Sequence, residues 1–238
     1  MGRLTGITAV VTGASRGIGL AIARRLHDTG ARVAMLARTA AALRAEAESL
    51  GPRALPVTCD LANAPAVADA VVTITDAFDG APDVVVNNAG AFALTPFDAL
   101  APEDFAAALD INLVAPFRLI RAFLPSMKSR RAGHIVTIGS VADRAIFPGN
   151  ASYAPSKYGA RALHEVLRLE TRGSGVRATL VSPGQVDTPL WDAVDPDHRE
   201  GFTPRAQMLR PEAVADAVLY ALTQPADVNV DELRLSRS

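Results

Sequence analysis

From end to end, short β-branched runs alternate with alanine-rich stretches of helical period. Repeated βα units give this pattern, and they bury both faces of their strands only in a parallel sheet covered by helices on each side. Strands are expected near Ile7–Thr12, Arg32–Ala37, Ala54–Thr58, Val84–Asn87, His134–Gly139, Val176–Ser182 and Asn229–Leu235. Seven strands fit one doubly wound α/β sheet. No repeat, low-complexity tract or linker divides the 238 residues, so a single domain is expected, with residues 1–110 mainly binding a cofactor and 111–238 mainly catalytic.

Two helices should be long. One runs from about Pro102 to Arg130, bent at Pro116 and frayed near Pro125, because proline removes a helix hydrogen bond. The other runs from about Ser152 to Gly173. The weakly periodic segment Thr188–Pro211, rich in Pro, Asp and Arg, reads as a mobile loop of the kind that covers substrate.

Charge narrows the partners. With 24 basic and 25 acidic residues spread along the chain, a formal net charge of -1 gives no field that would draw nucleic acid or an anionic membrane. Aromatics make up only 5% of residues, so the core must be mainly Ala, Val, Leu and Ile. The lone Cys59 excludes an internal disulfide and reads as a buried thiol, while His27, His134, His164 and His198 are too scattered for a metal motif. No apolar run approaches the ~20 residues that span a bilayer. The opening Met1–Gly6 lacks an apolar leader segment, so a soluble, cytoplasmic protein is expected.

The first strand ends in Thr12-Gly13-Ala14-Ser15-Arg16-Gly17-Ile18-Gly19 and opens directly into a helix. Glycines let backbone approach a pyrophosphate, while free amides and the helix dipole favour its charge. The second strand ends Ala37-Arg38, where dinucleotide folds commonly hold an acid for the adenosine ribose. Arg38, with Arg16 in the turn, would instead welcome a 2′-phosphate, each charge-assisted contact contributing roughly 1.5–3 kcal/mol. Beyond the third strand, Asp60-Leu61 would meet the adenine, or Asp60 would cap the next helix. Beyond the fourth, Asn87-Asn88-Ala89-Gly90 would line the cofactor with backbone, or simply form a turn.

Tyr153 and Lys157, four residues apart, stand on one helix face. A phenol of pKa ~10 is a poor acid or base at neutral pH, but a nearby ammonium favours phenolate. Ser140, closing the fifth strand, would hold one carbonyl oxygen together with Tyr153.

In this order, Thr12-Gly13-x-x-x-Gly17-x-Gly19, Asn87-Asn88-Ala89-Gly90, Asn112, Ser140, Tyr153-x-x-x-Lys157 and Pro183-Gly184 resemble the short-chain dehydrogenase/reductase family over nearly the whole chain. The resemblance implies a Rossmann-like fold and an NADP(H)-dependent enzyme interconverting a small-molecule carbonyl and an alcohol. It makes Tyr153 the acid/base and Ser140 the carbonyl polariser. Lys157 would hold the nicotinamide ribose and tune Tyr153, while Asn112 would support a proton-relaying water. Pro183, Gly184, Val186 and Thr188 become the nicotinamide wall and anchor. A homotetramer or dimer is also implied, built on surfaces such as Ala106–Ala108 and Ala160–Leu163.

Two alternatives accompany this reading. A 3-oxoacyl-[carrier protein] reductase would gather basic residues by the entrance, with Arg130, Arg131, Arg172, Arg199, Arg205 and Arg210 as candidates. A non-catalytic NADP-binding protein would have no need of Asn112, Ser140, Tyr153 and Lys157 together.

Overall fold

The structure is a computed structural model and describes residues 2–238. Its strands are β1 (Thr8–Thr12), β2 (Arg32–Ala37), β3 (Ala54–Thr58), β4 (Val84–Asn87), β5 (Gly133–Ile138), β6 (Val176–Pro183) and β7 (Glu232–Leu235). The main helices are α1 (Gly17–Asp28), α2 (Ala40–Leu50), α3 (Ala64–Phe78), α4 (Pro102–Leu109), α5 (Ala115–Ser129), α6 (Tyr153–Glu170) and α7 (Pro211–Leu222). All seven strands pair in parallel in the order β3-β2-β1-β4-β5-β6-β7. The expected Rossmann-like, doubly wound sheet is therefore present.

Strand alternation divides the core in two. Ala9, Val11, Val33, Met35, Val84 and Val86 face a layer containing Ile22, Leu26, Leu43, Val214 and Val218 from α1, α2 and α7. Their neighbours Val10, Ala34, Leu36 and Val85 face Ile74, Leu119, Phe123, Met127 and Leu167 from α3, α5 and α6. Period-two side chains thus feed both cores, which is why these strands are apolar throughout. Because the chain order reverses between β1 and β4, their carboxyl ends open a crevice where open α/β sheets bind ligands.

Four expectations change in detail, beside one-residue shifts that give Gly133–Ile138 for the fifth strand and Val176–Pro183 for the sixth. The first strand starts one residue late because the Ile7 amide is spent in the preceding turn, donating to the Leu4 carbonyl at 3.0 Å. The last strand starts at Glu232 rather than Asn229 because the Asn229 side chain replaces a strand backbone there. It accepts from the Ala178 amide at 3.0 Å and donates to the Ala178 carbonyl at 3.0 Å. The helix between Pro102 and Arg130 is interrupted by a π-helical turn, Asp110–Val114, and not by a bend at Pro116. Pro116 follows the π turn directly, in the first turn of α5, and Pro125 is carried inside the helix.

The fourth change concerns Thr188–Pro211, which folds as three short 3₁₀ turns rather than an open loop. Arg205 pairs with Asp187 and Asp192, the Trp191 indole donates to the Val186 carbonyl at 3.0 Å, and Val194, Pro196 and Met208 are buried. Among the described residues, no helix is long and apolar enough to cross a membrane, and no group of three potential metal ligands occurs.

Candidate active site

The site lies along the carboxyl edge of the sheet. The glycine turn is locked to β4 by side chains: Thr12 Oγ1 accepts from the Asn88 and Ala89 amides at 2.9 Å each, and Asn88 Nδ2 donates to the Thr12 carbonyl at 2.8 Å. Gly13 sits at φ +67°, in the left-handed region that a side chain disfavours. At Gly19 an added Cβ would lie 2.3 Å from the Gly13 carbonyl oxygen, so only glycine lets α1 start this close to the turn. Asn88 was not singled out from sequence, where it reads as one half of a turn-forming pair.

This concavity suits a dinucleotide by its own geometry. α1 begins at the turn with no side chain capping its first amides. Asn87 is buried, and neither polar atom of its side chain has a partner. Ser15 and Ile18 line the turn half-exposed, while Arg16 and Arg38 stand exposed at the ends of β1 and β2. Asp60 is exposed and closes a local turn by accepting from the Ala62 amide at 3.1 Å, with Leu61 buried beside it. It does not cap the following helix, a task done by Asn63, which accepts from Ala66 at 3.1 Å. Thr188 is buried close to the glycine turn: a Cβ at Gly17 would come within 3.3 Å of it.

Behind the crevice, the π turn delivers Asn112 inward, where π bulges often serve a site. Its Oδ1 accepts from the Ala91 amide at 2.8 Å, and its Nδ2 donates to the Ala91 carbonyl at 2.9 Å and to Ser156 Oγ at 2.8 Å. Ser156 in turn donates to the Tyr153 carbonyl at 2.7 Å. The β4 exit and the first turn of α6 are therefore joined through one amide.

Lys157 is buried, and its Nζ lies 5.6 Å from the Tyr153 ring centre. It donates to the Ile138 carbonyl at 3.0 Å. An ammonium has three N–H donors, so two remain for a ligand. Gly90 lies over this group, with Asn112 Oδ1 3.2 Å and Lys157 Nζ 3.9 Å from where its Cβ would stand.

Ser140 precedes a 3₁₀ turn, Val141–Asp143, and its Oγ accepts from the Ala142 amide at 3.1 Å. With that lone pair engaged, the hydroxyl is free to point its proton into the cavity that Ser140 and Tyr153 both line. Beneath it, Asp143 is buried and accepts from the Ser140 amide at 3.3 Å and from the Ser182 hydroxyl. Ser182 immediately precedes Pro183-Gly184, which line the same cavity with Ile18, Val186 and Thr188. Asp143 thus ties the Ser140 turn to the exit of β6. From sequence it stood only among mixed residues between Val141 and Asn150, since an aspartate in a loop usually signals solvent.

The arginines proposed for a carrier-protein entrance do not gather there. Arg130 is held by the Ala81 and Pro82 carbonyls, and Arg205 by two aspartates. Arg131 and Arg172 lie beside Gly175 and Val176, at the opposite end of β6, and of the six only Arg199 lines the cavity.

A parallel sheet with a glycine turn at its switch point, and a serine, tyrosine and buried lysine gathered one crossover away, defines a nucleotide-binding oxidoreductase. Residues 7–199 match the short chain dehydrogenase family. An uncharacterized oxidoreductase of Staphylococcus epidermidis is 34% identical over 227 residues, covering 95% of each chain. A metagenomic short-chain oxidoreductase solved in complex with NADP superposes with a TM-score of 0.84 at 35% identity, covering 99% of this chain and 100% of that one. An alcohol dehydrogenase from the archaeon Thermococcus sibiricus, complexed with 5-hydroxy-NADP, gives 0.86 at 33% identity over 98% and 96%. The chain belongs to the short-chain dehydrogenase family and is an oxidoreductase of that type.

Proposed function

We propose that the protein is an NADP(H)-dependent oxidoreductase interconverting a carbonyl and a secondary alcohol, with Tyr153 as the general acid/base. The observation that carries this reading is the convergence of Ser140 and Tyr153 on one cavity, with Lys157 buried behind Tyr153 and two N–H donors to spare. The bound nicotinamide supplies or accepts the hydride. The chain's own residues position the substrate and move the proton. In reduction Ser140 donates to the carbonyl oxygen and Tyr153 O–H delivers the proton; in oxidation the phenolate takes it back. Lys157 would hold the nicotinamide ribose hydroxyls behind Tyr153, and Asn112 keeps Gly90, Ala91 and α6 in register for that transfer.

For the cofactor, Gly13, Ser15, Gly17, Ile18 and Gly19 would cradle the pyrophosphate, with Asp60 and Leu61 at the adenine and Asn87, Ala89 and Gly90 lining the cofactor with backbone. Pro183, Gly184, Val186 and Thr188 would wall the nicotinamide. Residues 1–110 are accordingly the mainly cofactor-binding part and 111–238 the mainly catalytic part. Arg16 and Arg38, exposed where an acid would otherwise meet the ribose, favour the 2′-phosphate. NADP in the solved relatives agrees with that choice.

We also propose a cytoplasmic homotetramer or dimer. Phe105, Phe117, Tyr158, Val166 and Leu169 stand exposed on α4, α5 and α6, beside the exposed Ala106 and Ala107.

The cofactor assignment is tested by kcat/KM with NADPH and with NADH. NADPH is expected to be preferred at least about tenfold, and Arg38→Ala together with Ala37→Asp to erase the preference. A wild-type preference for NADH would overturn it.

A further inference from the structure

Aromatic residues are scarce in this chain, yet six of the twelve line the catalytic cavity. They come from distant segments. Phe92 and Phe97 follow β4, Phe147 follows β5, Tyr153 opens α6, and Trp191 and Phe202 belong to the segment after β6. Packing alone does not require such a gathering, because both cores are built of aliphatic side chains with few aromatic rings.

Three of the rings touch in a row that starts at the proposed proton donor. Phe92 meets Tyr153 edge-on at 4.9 Å and Trp191 edge-on at 5.1 Å. A substrate oxygen at Tyr153 therefore places its substituents against Phe92 and Trp191. The wall continues to solvent: Phe97 is 86% exposed and Phe147 45%, on two loops joined by a hydrogen bond from the Thr95 amide to the Gly149 carbonyl. Apolar side chains left this open at a cavity mouth mark a surface that awaits a ligand.

The lining mixes these rings mainly with uncharged polar groups, among them Asn150, Gln185, Thr203 and Gln207. The charged side chains lining the cavity are Arg199, Glu200 and Arg237, from the two segments farthest along the chain. Two of these are already engaged: Arg199 stacks on Phe202 at 4.8 Å, and Arg237 donates to the Ala206 carbonyl at 2.9 Å. The cavity holds about 1390 Å³, more than the roughly 300–1,000 Å³ of ordinary small-molecule sites. A nicotinamide and a bulky substrate can occupy it together.

We infer that the substrate is a carbonyl compound, or its alcohol, carrying a bulky apolar ring, aromatic or alicyclic, next to the reacting carbon. Short polyhydroxylated or charged carbonyl compounds are expected to be poorer substrates, because they leave the rings uncovered and gain no apolar contact from them. This inference rests on the reading of Tyr153 as the proton donor at the inner end of that wall.

Two measurements test it together. The first is kcat/KM with NADPH for 2-tetralone and phenylacetone against hydroxyacetone and dihydroxyacetone. The ring ketones are expected to lead by about 100-fold or more, and Phe147→Ser to cut that lead about tenfold. The second is titration of the single tryptophan's fluorescence with 2-tetralol and with glycerol, with no nicotinamide present. Trp191 emission is expected to change saturably with the ring alcohol only. If the small polar ketones are reduced as well as the ring ketones, the substrate class is wrong while the oxidoreductase reading stands. If no carbonyl is reduced but Trp191 still reports the ring alcohol, the apolar site stands and the assigned reaction fails. If Trp191 does not respond to the ring alcohol, the inference is overturned whatever the turnover.

Discussion

Strand β5 and helix α6 together build two buried polar clusters, one just past the strand's carboxyl end and one along its length, and the two differ in where their unused valences point. At the carboxyl end, Lys157 meets the Ile138 carbonyl, and Ser140 and Asp143 follow directly, beside a cavity that Ser140 and Tyr153 line. Along the strand itself, His134 meets the Thr179 hydroxyl at 2.8 Å and His164 meets the Thr137 hydroxyl at 2.9 Å, all four side chains buried. His164 is seven residues beyond Lys157 on the same face of α6. The fold thus offers equivalent buried positions to a lysine and a histidine. One keeps N–H donors for a ligand; the other is packed shut.

Electrostatics mark the same division. Burial, reinforced by Arg177 and His164, pushes His134 from its ordinary value near 6.5 down to about 3, and burial with Arg168 pushes His164 down to about 4. Both rings are neutral across the physiological range, as a sealed polar cluster requires. The histidine pair along the strand is structural, and the carboxyl-end group is where chemistry is available.

This contrast can be broken at either cluster. Among the residues behind the reacting groups, the largest effect is expected from Asp143→Asn, which keeps the shape but gives the Ser182 hydroxyl and the Ser140 amide a weaker acceptor. We expect kcat to fall about 10- to 100-fold while the KM for NADPH changes less than about threefold. A purely structural aspartate would show the reverse, a lower unfolding midpoint with kcat intact.

At the histidine pair the effect falls on stability. The folded state disfavours protonation of His134 and His164, so the unfolded chain binds more protons below about pH 6.5 and stability falls as pH falls. Between pH 7 and 5.5 the two histidines together should remove about 2–3 kcal/mol, readable from urea unfolding. His134→Gln should flatten part of that slope and leave kcat at pH 7 unchanged. A wild-type stability constant over that range would contradict the sealed-cluster account.

The smallest effect is expected at Cys59, whose thiol is pushed up to about 11 by burial and by Asp60 and Asp69. Although it lies one residue from the proposed adenosine contact Asp60, it should resist iodoacetamide at pH 7.5 over hours and activity should persist. Rapid labelling with inactivation would place a reactive thiol in the site.

The contrast also shows what sequence could and could not reveal. The bounds of β2, β3 and β4 are legible to the residue because apolar, β-branched runs end at turn-forming residues. The start of β7 is not, because Asn229 imitates a strand with its side chain. The glycine turn and the Tyr153–Lys157 pair announce themselves by spacing. Ser156 and Asp143 do not, since their value lies in contacts to Asn112, 44 residues away, and to Ser182, 39 residues away. The aromatic wall is invisible for the same reason: its rings are spread over 111 positions from Phe92 to Phe202 and meet only when the sheet closes. The π turn is missed because Pro116 looks like the breaker, whereas Asn112 is the residue delivered inward.

The central claim is that the carboxyl-end cluster transfers a proton through Tyr153. Its most direct test compares wild type with Tyr153→Phe, measuring NADPH binding by the enhancement of its fluorescence and the single-turnover reduction of 2-tetralone. The account predicts NADPH binding within about threefold of wild type and a reduction rate lower by about 10³-fold or more. A Tyr153→Phe enzyme that binds NADPH normally and reduces the ketone at the wild-type rate would contradict it.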